Sequence, residues 1–103
     1  DDALLLTREG LVAEATIWCV FWWEGEVLAA PALDLGVLPG VSRHRIEEIH
    51  GPLAPRRATP ASLAGRPLWL ANAVRGIVDV ATLDGVPVVS DPRTERLRDR
   101  FWP

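Results

Sequence analysis

The segment GVLPGVSRHR, at positions 36–45, carries the first residues that could do chemistry. Its Pro-Gly pair predicts a turn into a helix, and three basic-type side chains follow at once, those of Arg43, His44 and Arg45. Cations are unfavourable at the positive end of a helix dipole, where an exposed one costs roughly a few tenths of a kcal/mol. The pattern raises the question of which negative charge compensates them.

A helix that starts here would form an anion-binding corner. Its first backbone N–H groups, those of Val41, Ser42 and Arg43, have no partner inside the helix. A phosphate would accept these N–H groups at the positive end of the dipole and would contact Arg43 and Arg45. The alternative is an ordinary helix start whose arginines face solvent or meet the neighbouring glutamates, at positions 47 and 48.

Glu14 is the second candidate. It is the only acidic residue between Glu9 and Glu24, and its neighbours are apolar. A carboxylate in a buried strand needs a partner. This one could hold a protonated heterocyclic nitrogen; the alternative is a half-exposed strand position that faces water.

The segment LANAVRG, at 70–76, is the third. A strand that runs into Asn72 and closes at Gly76 would gather backbone N–H groups, the Asn72 amide and Arg75 at one end of a sheet. Small ligands often bind at such a place. The alternative is an ordinary turn stabilised by Asn72.

Other kinds of catalytic site find little support. All 11 positive residues are arginine, so these 103 residues contain no lysine that could form a Schiff base. Cys19, the only cysteine, lies in an apolar run, which favours a small buried hydrophobe over a nucleophile. His44 and His50 do not have the i, i+4 spacing with which one helix face ligates a metal, so we expect no metal site.

The composition indicates one soluble globular unit over residues 1–103. An apolar content of 49% suffices for a core in a chain of 103 residues. A net charge of -3, and the absence of any apolar run near the roughly 20 residues that span a bilayer, argue against nucleic-acid and membrane partners. The acidic N-terminus and the single cysteine favour a cytoplasmic protein.

The patterning predicts an α/β or α+β fold with a mostly antiparallel sheet, arranged as a meander, and short helices. Strands are predicted at 3–6, at 11–23, after a reversal at 24–26 into VLAAP, and at 67–71. The stretch IVDVATLDGVPVV predicts a hairpin around Asp84-Gly85. The stretch LAPRRA, at 53–58, shows no clear period.

Turn and capping residues predict the helices. A helix at 42–50 would begin after Gly40 or Ser42 and stop at Gly51-Pro52. Thr59 and Pro60 predict one helical turn that ends at Gly65. A short basic helix is expected at the C-terminus, after the cap Asp91.

The order of these pieces resembles the C-terminal part of the class IV aminotransferases, the fold-type IV enzymes of pyridoxal 5'-phosphate. The matching segments are EATIWCVF, LAAP, GVLPGVSR, LANAVRGIVDV and LDGVPV, of which GVLPGVSR is the most specific. The resemblance as a whole covers nearly the whole chain, from about Leu4 to Arg98. The NAVRGI segment is most similar to the aminodeoxychorismate lyase branch.

The resemblance implies roles for the cofactor side of the site. Glu14 would match the glutamate that bonds the pyridine nitrogen and keeps it protonated. Gly40, Val41 and Ser42 would match the turn and helix start whose backbone N–H groups bind the cofactor phosphate. The negative charge expected after the Pro-Gly turn would be this phosphate.

A second loop and the substrate side follow from the same resemblance. Ala71 and Asn72 would match the second phosphate-side loop, with Asn72 and Arg75 close to the pocket for a small amino substrate. Three polar groups usual in the family are replaced here, by Cys19, Ala30 and Ala71, and Asp79 stands where proline is frequent.

The family's Schiff-base lysine lies upstream of the glutamate, in a stretch that these residues do not contain. The sequence therefore resembles the last third of such an enzyme, without its N-terminal domain, and we expect the isolated chain to be inactive and to bind the cofactor weakly or not at all. The alternative is a non-catalytic descendant that serves as an anion-binding or assembly module. A plain structural domain is a third reading.

An apolar surface would favour a partner. The run IWCVFWW and the loop at 33–38 would be covered by the rest of such an enzyme, so we expect an exposed apolar patch. A homodimer, or an association with the missing N-terminal chain, would bury it.

Overall fold

The computed structural model describes residues 4–6, 10–15, 18–33 and 40–102. Two α-helices lie within them, α1 (Val41–His50) and α2 (Pro92–Phe101), and a 3₁₀ turn forms at Pro60–Leu63. The strands there are β1 (Leu4–Leu6), β2 (Val12–Ala15), β3 (Cys19–Glu24), β4 (Val27–Pro31), β5 (Ala54–Arg56), β6 (Leu68–Asn72), β7 (Gly76–Asp79), β8 (Thr82–Leu83) and β9 (Val86–Pro87). Neither helix is long and apolar enough to cross a membrane, as far as the described residues go.

A five-stranded sheet organises the molecule. Its strand order is β5-β4-β3-β6-β7, and each neighbouring pair is antiparallel except β4 and β5, which are parallel. The predicted mixed fold, with a mostly antiparallel sheet and short helices, is confirmed. β3 and β6 are the inner strands that matter for the site, because Cys19 at the start of β3 lies opposite Ala71 near the end of β6.

The prediction of one strand over 11–23 is wrong. β2 pairs with β1 in a separate two-stranded sheet, whereas β3 belongs to the five-stranded sheet, and the chain bends at Trp18 between them. An apolar run without glycine or proline shows nothing of a change from one sheet to another. Both β2 and β3 bury side chains in the same core, so apolar residues continue along the run although the sheet changes.

Both faces of the five-stranded sheet are covered by the chain itself. Phe21 and Trp23 point to a core formed with α1 and α2, and Val20 and Trp22 point to a second core on the other face. These four side chains are at most 3% exposed. The open apolar patch expected at IWCVFWW is therefore absent from 20–23. Of the loop at 33–38, only Leu33 lies within the described residues, and it is 51% exposed. The burial of residues 20–23 therefore removes one argument for a partner chain.

Capping residues set the ends of the helices as the sequence predicts. Gly40 is the N-cap of α1, and Gly51, with a φ of 108°, follows its last turn. The carboxylate of Asp91 accepts the backbone N–H of Arg93 at 2.8 Å and so caps α2. Thr59 caps the 3₁₀ turn in the same way, with Pro60 at its first position.

Two further regions differ from expectation. The stretch LAPRRA contains β5, whose parallel pairing with β4 leaves no alternating pattern. Asp84-Gly85 does form a tight turn, with φ values of 51° and 79°, but the hairpin around it consists only of β8 and β9. The preceding residues, in β7, pair with β6 instead. Local turn residues predict a turn, and tertiary pairing decides how far the strands extend.

Trp23 joins α2 to the sheet. Its indole N–H donates to the hydroxyl of Thr94 at 2.8 Å, and the guanidinium of Arg93 lies 4.1 Å from the ring centroid. Arg93 is held by Asp91 at 2.8 Å and also donates to the carbonyl of Gly25. The first turn of α2 is thereby fixed on the β3–β4 hairpin.

Thr94→Val tests this connection, because it keeps the shape of the side chain and leaves a buried indole N–H without its acceptor. We expect the free energy of unfolding in urea to fall by about 1–3 kcal/mol. Thr82→Val, at an exposed position of β8, is the matched control and should change it by less than about 0.5 kcal/mol. Equal stability of the two variants would contradict the prediction.

Candidate functional site

Three segments meet at the start of α1. The hydroxyl of Ser42 lies 3.3 Å from the Sγ atom of Cys19 and 3.4 Å from the carbonyl oxygen of Ala71. A methyl group built on Gly40 would be 4.0 Å from the same sulfur atom, so the turn before the helix also lies against β3. The structure thus brings together two of the segments predicted to bind a phosphate, 40–42 and 71–72.

The first turn of α1 presents its backbone N–H groups without a side-chain cap. Gly40 is extended, with φ -78° and ψ 172°, and its carbonyl accepts the first helical bond, from His44 at 3.1 Å. The hydroxyl of Ser42, the other predicted cap, is directed to Cys19 and Ala71 instead. Within the described residues no side chain caps the N–H groups at 41–43, which lie at the positive end of the dipole, where anions bind favourably.

An open depression of about 290 Å³ adjoins this turn. It is lined by Gly40, Val41, Arg43, His44 and Glu47. The side chain of Val41 is 75% exposed beside it. In the described part of the chain, the helix start thus borders an open depression whose lining also includes Glu47.

Arg43 is buried, with 6% of its surface exposed, and donates from Nη1 to the carbonyl of Pro31 at 2.8 Å. Burial lowers the pKa of its guanidinium, and the charge of Glu47 acts in the opposite direction. Its Nε–H is buried and has no hydrogen-bond partner in the described part of the chain. One end of this side chain therefore anchors α1 to β4, while one donor is left unused.

Arg45 has a partner that neither interpretation of the sequence contained. Its Nε and Nη2 atoms donate to the carbonyls of Phe101 and Arg100, at 2.7 and 2.9 Å. The ion pair with Glu48 is long, at 3.9 Å. The negative end of the α2 dipole thus compensates this cation, and a phosphate contact by Arg45, as predicted, has no support in this arrangement.

Asn72 shapes the turn between β6 and β7. Its Oδ1 atom accepts the backbone N–H groups of Val74 and Arg75, at 3.0 and 2.7 Å, as the ordinary-turn interpretation predicts. The side chain of Arg75 is exposed. The amide nitrogen of Asn72 and the guanidinium of Arg75 are not needed for the turn, and their roles toward a substrate stay predictions.

Glu14 lies in β2, where its backbone pairs with Leu5. Its side chain is outside what the structure describes, so the proposed bond to a ring nitrogen stays a prediction. No group of three metal-ligating side chains occurs among the described residues.

Cys19 packs against the core, as predicted, and its sulfur also lies 3.3 Å from the hydroxyl of Ser42. One contributor to this region was missed from the sequence. The end of α2 was not associated with the site, although Arg45 reaches it across 55 residues of sequence. No local pattern signals such a contact, because the two helices become neighbours only through the sheet that both cover.

The sequence matches a family of known proteins. The family model described as Amino-transferase class IV matches residues 1–83. The chain belongs to the class IV aminotransferase family. The match contains α1, β6 and the turn after β6, the elements that form the candidate site.

Individual members of the family agree with this assignment. The aminodeoxychorismate lyase of Bacillus subtilis (strain 168) is 32% identical over 90 residues, which cover 82% of this chain and 31% of the lyase. A branched-chain aminotransferase from Thermoproteus uzoniensis, crystallised with norvaline, superposes with a TM-score of 0.90 at 25% identity, over 97% of this chain and 35% of that one. The holo form of the Thermobaculum terrenum enzyme gives 0.85 at 27% identity, over 98% and 36%. The chain spans about a third of the length of these class IV proteins.

Substitution of Asn72 tests the construction of the β6–β7 turn. Asn72→Ala removes the acceptor of two backbone N–H groups and should lower the free energy of unfolding by about 1 kcal/mol. Asn72→Asp keeps an acceptor at the same place and should retain most of the stability. Urea denaturation followed by tryptophan fluorescence measures both, and equal losses would show that the Oδ1 contacts do not stabilise the turn.

Proposed function

We propose that this chain is the cofactor-binding portion of a pyridoxal-phosphate-dependent class IV protein, resembling aminotransferases and aminodeoxychorismate lyase. It would take part in lyase or transamination chemistry on a small amino substrate. The observation that carries the proposal is the uncapped start of α1, held against the end of β6 by Ser42.

The donor set fits a phosphate ester. Three backbone N–H groups lie at a positive helix end, no described side chain caps them, and the first turn holds no acidic residue. The holo form of the Thermobaculum terrenum aminotransferase contains pyridoxal phosphate, and its likeness to this chain extends through the same elements.

Each residue would have a defined part in holding the cofactor. The N–H groups of Val41 and Ser42, after the Gly40 turn, would bind the phosphate, and the Ala71-Asn72 loop would close its other side. Glu14 would bond the ring nitrogen. When bound, pyridoxal phosphate supplies an electron-withdrawing ring that stabilises negative charge on the substrate α-carbon.

Arg75 is the candidate for substrate binding. Its exposed guanidinium follows the turn that Asn72 builds, next to the loop assigned to the phosphate. A guanidinium recognises a carboxylate through paired N–H donors, and an amino-acid-like substrate carries one.

A lysine must come from outside these 103 residues for the protein to be an enzyme of this family. We propose that another stretch of polypeptide, or a partner chain in a dimer, supplies it. A second candidate function, a non-catalytic module that binds an anion, is favoured by the replacement of polar groups usual in the family at Cys19, Ala30 and Ala71. The reduced set of polar groups, with alanine at position 71, favours weak binding in the isolated chain.

Val41→Pro tests the anion site, because proline is tolerated at the first position of a helix and removes only one N–H group. Gly40 already has the extended backbone that a residue before proline requires. We expect the affinity for inorganic phosphate, measured by NMR titration of the chain, to fall by about tenfold. Val41→Ala keeps the N–H group and is the control; equal affinities of the two variants would contradict the site.

Borohydride reduction distinguishes an enzyme from a non-catalytic module that only binds an anion. The gene product, as its cell makes it, is incubated with pyridoxal phosphate, reduced and digested. An enzyme should yield a pyridoxyl group on a lysine outside the present residues. Phosphate binding without any such reduced lysine would support the anion-binding module instead.

A further inference from the structure

Among the described residues, one side chain joins the two sides of the candidate anion site by hydrogen bonds. One side is the turn and helix start at 40–43, and the other is the β6–β7 turn at 71–76. They meet through the hydroxyl of Ser42, which lies 3.4 Å from the carbonyl of Ala71 and 3.3 Å from the sulfur of Cys19. One hydroxyl proton serves one acceptor at a time, and both distances are long. This contact alone is a weak link.

The last turn of α2, residues 98–102, touches both sides. Toward the helix start, the carbonyls of Arg100 and Phe101 accept the two hydrogen bonds of Arg45. Toward the β6–β7 turn, Arg98 donates to the carbonyl of Ile77 at 3.2 Å and pairs with Asp79 at 3.0 Å.

Trp102 adds a packing contact on the same side. A methyl group at position 76 would lie 3.3 Å from its Cζ2 and Nε1 atoms, so the indole ring rests directly on the backbone of Gly76. Gly76 has a φ of 76°, which other residues rarely adopt, and pairs with Asn72 where the turn begins. Only glycine combines this backbone with room for the ring.

We propose that the last turn of α2 is a clamp that holds the two sides of the anion site at a fixed separation, with Arg45 as the positioning residue. The proposal rests on the function proposed above for α1 and β6. Arg45 touches no bound group itself, and it acts through the carbonyls of α2.

The electrostatics explain why an arginine stands at position 45. The final carbonyls of α2 have no partners inside their own helix, and Arg45 satisfies two of them at the negative end of the dipole. The planar guanidinium of arginine donates to two acceptors in a fixed paired geometry. The ammonium group of lysine is a compact point charge without this geometry. The same contact draws a cation away from the positive start of α1.

Amide chemical shifts test the clamp without any ligand. Arg45→Met removes the donors and keeps the aliphatic stem, and we expect it to shift the backbone N–H signals at 41–43 and also those at 74–77. Arg96→Met, at an exposed arginine of α2, is the matched control and should leave both sets unchanged. Shifts that are confined to α1 and the end of α2 would overturn the proposal.

Phosphate affinity supplies the second readout, taken well below the melting temperature of each variant. Arg45→Met should weaken the binding of inorganic phosphate by at least about threefold relative to Arg96→Met, and Arg45→Lys should restore only part of it. Affinities equal to that of the control would show that Arg45 stabilises the fold without positioning the site.

Trp102→Ala approaches the clamp from its other end and keeps the test decisive if Arg45→Met does not fold. Trp102 is 53% exposed, so its loss should leave the core intact and still shift the amide signals at 41–43. Unchanged signals there would also overturn the proposal. If the unmodified chain does not bind phosphate at all, the proposed function fails, and the amide shifts alone decide whether the clamp exists.

Discussion

The first turn of α1, whose N–H groups no described side chain caps, is the constraint on which the candidate site depends. A helix start that lacks a side-chain cap leaves partial positive charge and donors at its end, and the surrounding fold must not satisfy them with its own carbonyls. Here the nearest polar side chain, Ser42, is drawn to Cys19 and Ala71, and Arg43 is drawn to Pro31. These contacts fix the position of the turn and leave its N–H groups for a ligand.

The sheet makes this arrangement rigid. β3 carries large side chains to both faces, with Phe21 stacked on Trp69 at a centroid distance of 4.6 Å and Trp22 buried on the opposite face. α1 and α2 cover the first face together, through Ile46, Ile49, Leu97 and Phe101. Because both helices pack on the same strands, the end of one lies beside the start of the other. The negative end of the α2 dipole then compensates the charge of Arg45.

The departures from the usual family residues have structural counterparts. Ala30 and Ala71 are fully buried in the core beside α1, where a hydroxyl would need a partner. Cys19 keeps a polar role as the acceptor of the Ser42 hydroxyl. Asp79 forms an ion pair with Arg98 that a proline could not make. Asp79 therefore provides a contact that fixes α2 to β7.

The sequence by itself determined the features that depend on neighbouring residues. Gly40 and Gly51 mark the ends of α1, Asp91 and Pro92 begin α2, and Asp84-Gly85 forms a tight turn, because capping and turn conformations need only a few adjacent residues. The family resemblance followed from the order of such segments.

Only the tertiary structure decided the contacts between distant segments. The break between β2 and β3, the parallel pairing of β5, the burial of both faces of β3 and the partner of Arg45 all depend on which strands and helices become neighbours. A side chain such as Arg45 has the same local sequence whether it meets solvent, a phosphate or the carbonyls of α2. Its role is fixed by packing across the sheet, which no local pattern of residues records.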